Sequence, residues 1–124
     1  MDTCTIEIKV VTQHLPNQSE PHNQKYAFAY RISIANKGNE AAQLISRHWI
    51  ITDGNEARQE VKGEGVVGEQ PIIKPGSVYQ YTSGVVLATE VGTMSGTYHM
   101  VDESGTSFDA SIPPFLLTVP HAVH

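Results

Sequence analysis

The stretch Tyr26-Ala-Phe-Ala-Tyr-Arg-Ile-Ser-Ile-Ala35 decides the fold. Tyr26, Phe28, Tyr30, Ile32 and Ile34 fall on one side of an extended chain, and Ala27, Ala29, Arg31, Ser33 and Ala35 fall on the other. A period of two with aromatic and β-branched residues is the pattern of a half-buried strand. The aromatic triplet reads as core. A base-stacking platform would need interleaved cations, and only Lys25 and Arg31 flank it.

The neighbouring segments read the same way. Residues 4–13 set Ile6, Ile8 and Val10 against Glu7 and Lys9, and the polar stretch 14–24, with two prolines, is a connection. Asn36-Lys-Gly-Asn39 is expected to turn, with Gly38 free to take a positive φ. Residues 41–53 are apolar enough for a strand near the middle of a sheet, and Asp53-Gly54-Asn55 signals a hairpin returning through 57–61. Further strands are expected at 78–82 and at 94–101, with Met94, Gly96, Tyr98 and Met100 on one face. Asp102-Glu-Ser-Gly105 turns the chain into 106–112, Pro113-Pro114 interrupts it, and 115–119 is the last strand.

No window shows helical periodicity. Seven to eight short strands imply an all-β chain, an antiparallel immunoglobulin-like or fibronectin type III-like β-sandwich, with residues 1–124 as a single domain. The lone Cys4 cannot form the internal disulfide of an immunoglobulin domain, which favours the fibronectin-like arrangement.

Eight lysines and arginines against 13 carboxylates give a formal charge of −5, which repels nucleic acid and anionic membrane. Neither is expected as a partner. The opening residues lack the pattern of a signal peptide, and no apolar run approaches the roughly 18–20 residues of a membrane-spanning helix. The expected compartment is the cytoplasm.

The segment 61–76 holds the letters G-x-G-x-x-G at Gly63, Gly65 and Gly68. Dinucleotide binding requires such letters to open a helix, whose N-terminus holds the pyrophosphate. Here Glu69-Gln70-Pro71 and then Pro75 follow, no Lys-Ser/Thr pair appears, and Glu64 and Glu69 bring negative charge. The glycines are read instead as permitting bulges, positive φ or close backbone approach. On such a rigid loop Glu64, Glu69 and Gln70 become a candidate recognition surface.

In an extended strand Arg47 and Trp49 share a face with Ile45 and Ile51, and His48 lies with Leu44 and Ile50. Trp49 is expected in the core. Arg47 is expected to hold a carboxylate or loop carbonyls, with Glu64 or Glu69 as partner if it points to the glycine loop. The histidines His14, His22, His48, His99, His121 and His124 match no zinc spacing. His99 with Asp102 and Glu103 is the nearest thing to a ligand set, and His121 with His124 offers only incidental affinity for a metal. Ser46-Arg47-His48 is no catalytic triad, because strand neighbours point to opposite faces, and Cys4 has no activating surroundings. No enzyme activity, metal or cofactor is expected.

Ser46-Arg-His-Trp-Ile-Ile-Thr-Asp53 and Gly63-Glu-Gly-Val-Val-Gly-Glu-Gln-Pro71 strongly resemble the ApaG (CorD-like) family. Pro75-Gly76, Tyr81-Thr-Ser-Gly84, Gly92-Thr-Met-Ser-Gly-Thr-Tyr-His-Met100 and Ile112-Pro-Pro-Phe115 extend the likeness over nearly the whole chain. The resemblance implies a small bacterial cytoplasmic protein with a fibronectin type III-like sandwich and a link to cobalt and magnesium resistance. Its relatives are encoded near a dinucleoside tetraphosphate hydrolase, or stand within F-box proteins and a polymerase-interacting protein as protein-interaction modules. Two functions follow as expectations. The first is a non-enzymatic module binding an unknown protein through Arg47 and the 63–70 loop, with edge strands open to homo-oligomer formation. The second is a binder of a nucleotide, pyrophosphate or divalent cation at that loop.

Overall fold

The structure is a computed structural model that describes residues 5–120, so Cys4, His121 and His124 lie outside the described residues. Eight strands run in chain order: β1 (Ile6–His14), β2 (Tyr26–Asn36), β3 (Ala42–Asp53), β4 (Arg58–Glu64), β5 (Ile72–Ile73), β6 (Val78–Leu87), β7 (Val91–Asp102) and β8 (Ser107–Thr118). All pairings are antiparallel. One sheet has the order β1-β2-β6 and the other β4-β3-β7-β8, with β5 beside β3 on the edge that β4 also uses. This is the expected sandwich.

The alternation in β2 is what fills the space between the sheets. Phe28, Tyr30, Ile32 and Ile34 are buried, as are Trp49, Met94, Tyr98 and Met100 from the opposite sheet. Trp49 packs edge-on against Tyr30, Tyr98 and Phe115, with ring centroids 5.5, 6.3 and 5.9 Å away. Such offset geometry suits the ring quadrupoles. Phe28 and Tyr30 are core as expected, and Tyr26 packs partly buried against it.

Three local expectations are corrected, and a fourth, the hairpin at Asp53, is borne out in finer detail. Gly38 does not take a positive φ; the turn forms because Asn36 Oδ1 accepts the Gly38 N–H at 2.9 Å. Asn36 itself is fully buried, and its amide donates to Glu40 O at 2.8 Å and Ile73 O at 2.9 Å. The hairpin at Asp53 forms, but the left-handed residue is Glu56 at φ 65°, closing a turn in which Asp53 O accepts from Glu56 N. That is the three-residue loop with a bulge. Pro113-Pro114 does not end a strand: β8 runs through, and the register with β7 slips between Met94–Phe115 and Gly96–Ile112. An edge strand at a bulge has no ladder bond to lose there, so proline is tolerated. Finally, Leu44 lies on the buried side with Trp49 and not opposite it, because Ile45 is an extra residue between the Leu44–Met100 and Ser46–His99 pairs. A one-residue bulge reverses the alternation.

The two sheets are tied across the core by Tyr81 and Tyr98, whose hydroxyls lie 2.5 Å apart. Burial pushes both phenols far above the ordinary tyrosine value of 10.0. The raised native pKa means that stability is complete below pH 10 and falls as pH rises, because only the unfolded chain releases these protons. Two such groups lose about 1.4 kcal/mol each per pH unit above 10. Urea unfolding at pH 9 and pH 11 is expected to differ by roughly 3 kcal/mol from this source. The Tyr81→Phe/Tyr98→Phe double variant should show a clearly shallower alkaline loss.

One side of the sandwich is closed, since β1 lies against β8. On the other side β4 and β6 stand apart, and this gap positions the features below.

Candidate functional site

The glycine-rich loop is built on the edge of β3. β4 runs beside β3 as far as Glu64, opposite Ser46. Gly65 then turns the corner at φ +63° and donates its N–H to Ile45 O at 2.8 Å. Val66 and Glu69 exchange N–H···O bonds of 2.8 and 2.9 Å around Val67 and Gly68, whose φ values are +42° and +82°. Two successive positive φ values between a mutually bonded pair make a type I′ hairpin turn. Gln70 Nε2 also reaches Ile45 O, at 2.9 Å, and Leu44 N donates to Pro71 O at 3.0 Å as the chain enters β5. The bulge at Ile45 thus turns one carbonyl toward both ends of the loop.

The G-x-G-x-x-G letters are therefore a strand position, a corner and a turn. β5 follows where a phosphate loop needs a helix. The amides of Gly65, Val66 and Glu69 are already donated within the loop and to β3. Gly65 is enclosed, and a Cβ there would stand 2.2 Å from Glu69 O. Gly68 meets nothing within 4 Å, so its need is the positive φ alone.

Arg47 points inward beside Trp49 and is half-buried. Its Nη1 donates to Glu64 O at 3.1 Å and to Gly65 O at 2.8 Å. The loop carbonyls are its partners, not the carboxylates of Glu64 or Glu69. Period two explains this: Gly63 lies opposite Arg47, so Glu64 faces out and is exposed. Gly63 makes room for the cation, since a Cβ there would stand 2.8 Å from Nη1. Glu69 and Gln70 are exposed at the loop end, where the charge of Glu69, after burial, helps raise the Tyr79 phenol.

The histidine set is not brought together. His99 Nδ1 bonds Asp109 Oδ1 at 2.5 Å across the β7–β8 ladder. Asp102 Oδ1 instead accepts from Ser104 N and Thr106 N, and Glu103 Oε1 from Ala41 N. His48 Nε2 is buried 3.7 Å from Glu60 Oε1. Among the described residues no group of three His, Cys, Asp or Glu is placed to hold a metal, and no helix is long and apolar enough to cross a membrane.

Two clefts meet at Arg47. One, of about 370 Å³, lies on the outer face among Ser46, His48, Lys62 and His99. The other, of about 310 Å³, opens between Gln59 and Val61 of β4 and Ser83 and Val85 of β6, over Tyr30 and Trp49. Gln59 and Ser83 carry no sequence signal of a site. They become neighbours of the cleft only through the pairing of distant strands.

The model of the ApaG domain family matches residues 16–102 of this chain. A protein named Protein ApaG from Dechloromonas aromatica is 57% identical over 119 residues, 96% of this chain and 94% of its own length. Protein ApaG of Pseudomonas aeruginosa (strain LESB58) is 56% identical with the same coverage. Among solved structures, the putative ApaA protein from Bordetella pertussis superposes with a TM-score of 0.93 at 50% identity, covering 96% of this chain and 97% of that one.

Proposed function

The chain belongs to the ApaG domain family, and from that premise we propose that it is a non-catalytic protein-interaction module that recognises its partner through the 63–70 loop. The observation that carries this reading is Val67. It is a β-branched residue at φ +42°, 56% exposed at the tip of the hairpin turn. Asparagine or glycine is the ordinary choice for that position of a type I′ turn, and backbone strain of this kind costs roughly 1–3 kcal/mol. An exposed apolar side chain held there against local preference gains nothing for the fold, whereas a contact with a partner would use it. The amides committed inside the loop make it stiff, which lowers the entropy lost on binding. They also leave few donors for a phosphate, so a protein surface is the better occupant.

The test separates folding from recognition. Val67→Asn is expected to raise the unfolding free energy by about 1 kcal/mol, because asparagine tolerates the left-handed conformation. A photoreactive phenylalanine at Glu69 should trap a discrete polypeptide in cells, one that the same group at Val11, 57% exposed on β1, does not trap. Adding Val67→Asn should abolish that adduct. Equal adducts from both positions, or an adduct indifferent to Val67→Asn, would overturn the reading.

A further inference from the structure

Among the described residues the free edge of β6 is the one long edge without protection. Edge strands ordinarily carry charges, prolines or bulges that discourage pairing with another chain. β1 has Glu7 and Lys9, and β4 has Arg58, Glu60, Lys62 and Glu64. β8 has Pro113-Pro114 and β5 only two residues. β6 runs for ten residues, VYQYTSGVVL, with neither a charge nor a proline, and among the described residues pairs only β2. Asn36 N bonds Ser77 O, and carrying that alternation along the ladder leaves the N–H and C=O of Gln80, Thr82, Gly84 and Val86 directed away from β2.

Beside this edge stands a cation that the fold does not neutralise. Arg47 forms no ion pair with any carboxylate among the described residues. Among the described residues its hydrogen bonds are the two that Nη1 makes to loop carbonyls, and none of them supplies an acceptor to Nε or Nη2. Yet the guanidinium is half-buried at one end of the 310 Å³ cleft, whose floor is Tyr30, Trp49 and Met94. The same opening continues past Ile51, Gln59 and Val86 into a further 230 Å³ beside Asp53. A half-buried guanidinium with spare donors is suited to a carboxylate, and an apolar floor next to it is suited to an alkyl or aromatic side chain.

We propose that β6 takes up an extended acidic segment of a partner protein as an added antiparallel strand, with one inward Asp or Glu side chain on Arg47 and an apolar side chain two residues away on the Trp49–Met94 floor. The spacing of two follows from strand geometry, since alternate side chains of the added strand face the cleft. Backbone pairing to β6 supplies affinity without regard to sequence. Arg47 supplies the selection for a carboxylate. The inference rests on the interaction-module reading and names the chemistry of the partner.

The test uses a blocked seven-residue peptide of alternating threonine and valine with a central glutamate, titrated into the isotope-labelled protein and followed by amide NMR. Saturable shifts are expected along residues 78–87, with slowed exchange of the outward amides. The glutamine analogue of the peptide should bind at least about tenfold more weakly, and Arg47→Gln should erase the difference between the two peptides. The peptide N-methylated on alternate amides should not bind, because it cannot complete the ladder. Equal binding of the glutamate and glutamine peptides, shifts centred on residues 63–70, or a silent titration would each overturn the strand-addition proposal. Those results would leave the loop reading standing on its own trapping experiment, which does not involve β6.

Discussion

Trp49→Ala is expected to lower the unfolding free energy by about 3–5 kcal/mol, the range for truncating a large buried aromatic residue. Trp49 is only 3% exposed and sits where three aromatic rings meet edge-on, all of them from other strands, β2, β7 and β8. Removing it opens a void between the sheets that Tyr30, Tyr98 and Phe115 cannot close, because each is held by its own strand. Denaturant unfolding followed by circular dichroism should show a lower midpoint at an unchanged slope, the sign of lost stability rather than a changed unfolded state. Trp49→Phe should recover more than half of the loss, since a ring remains in the same slot. A Trp49→Ala protein as stable as the parent would mean that the sandwich does not depend on this contact.

Gly65→Ala is expected to cost about 2–4 kcal/mol, from the left-handed φ and from overpacking together. The new methyl would stand 2.2 Å from Glu69 O at φ +63°, so the turn must open. Opening it withdraws the Gly65 carbonyl from Arg47 and the Gly65 amide from Ile45. Gly68→Ala supplies the contrast. It meets no atom within 4 Å and carries only the cost of its positive φ, roughly 1 kcal/mol. Midpoints of urea unfolding should therefore rank parent above Gly68→Ala and Gly68→Ala above Gly65→Ala. If Gly65→Ala left stability unchanged while abolishing a binding event, the glycine would belong to recognition and not to folding.

These two residues also mark how far the sequence could be read. Trp49 and the alternation around it were legible, because burial of one strand face is written in consecutive residues. Gly65 was legible as a backbone requirement, because prolines and β-branched residues follow it where a phosphate site needs a helix. Arg47 was legible as a side chain reaching the glycine loop. Its partner was legible only as a choice between a carboxylate and loop carbonyls, and the structure takes the carbonyls while the Glu64 side chain faces out. The set of His99, Asp102 and Glu103 looked compact in the sequence, yet each group is engaged elsewhere.

The sequence by itself determined the strands, the composition of the core and the β-sandwich class, since these follow from local sterics and a two-residue period. Only the tertiary structure decided which way Leu44 faces, what Arg47 bonds, and where an edge is left open. The physical reason is register. The extra residue at Ile45 reverses the alternation of the strand on either side of it, and its carbonyl then anchors Gly65 and Gln70 from a loop 20 or more positions away. The cleft at Arg47 joins residues of β3, β4 and β6. No stretch of consecutive residues contains it, and it exists because β1 closes on β8 while β4 and β6 stay apart.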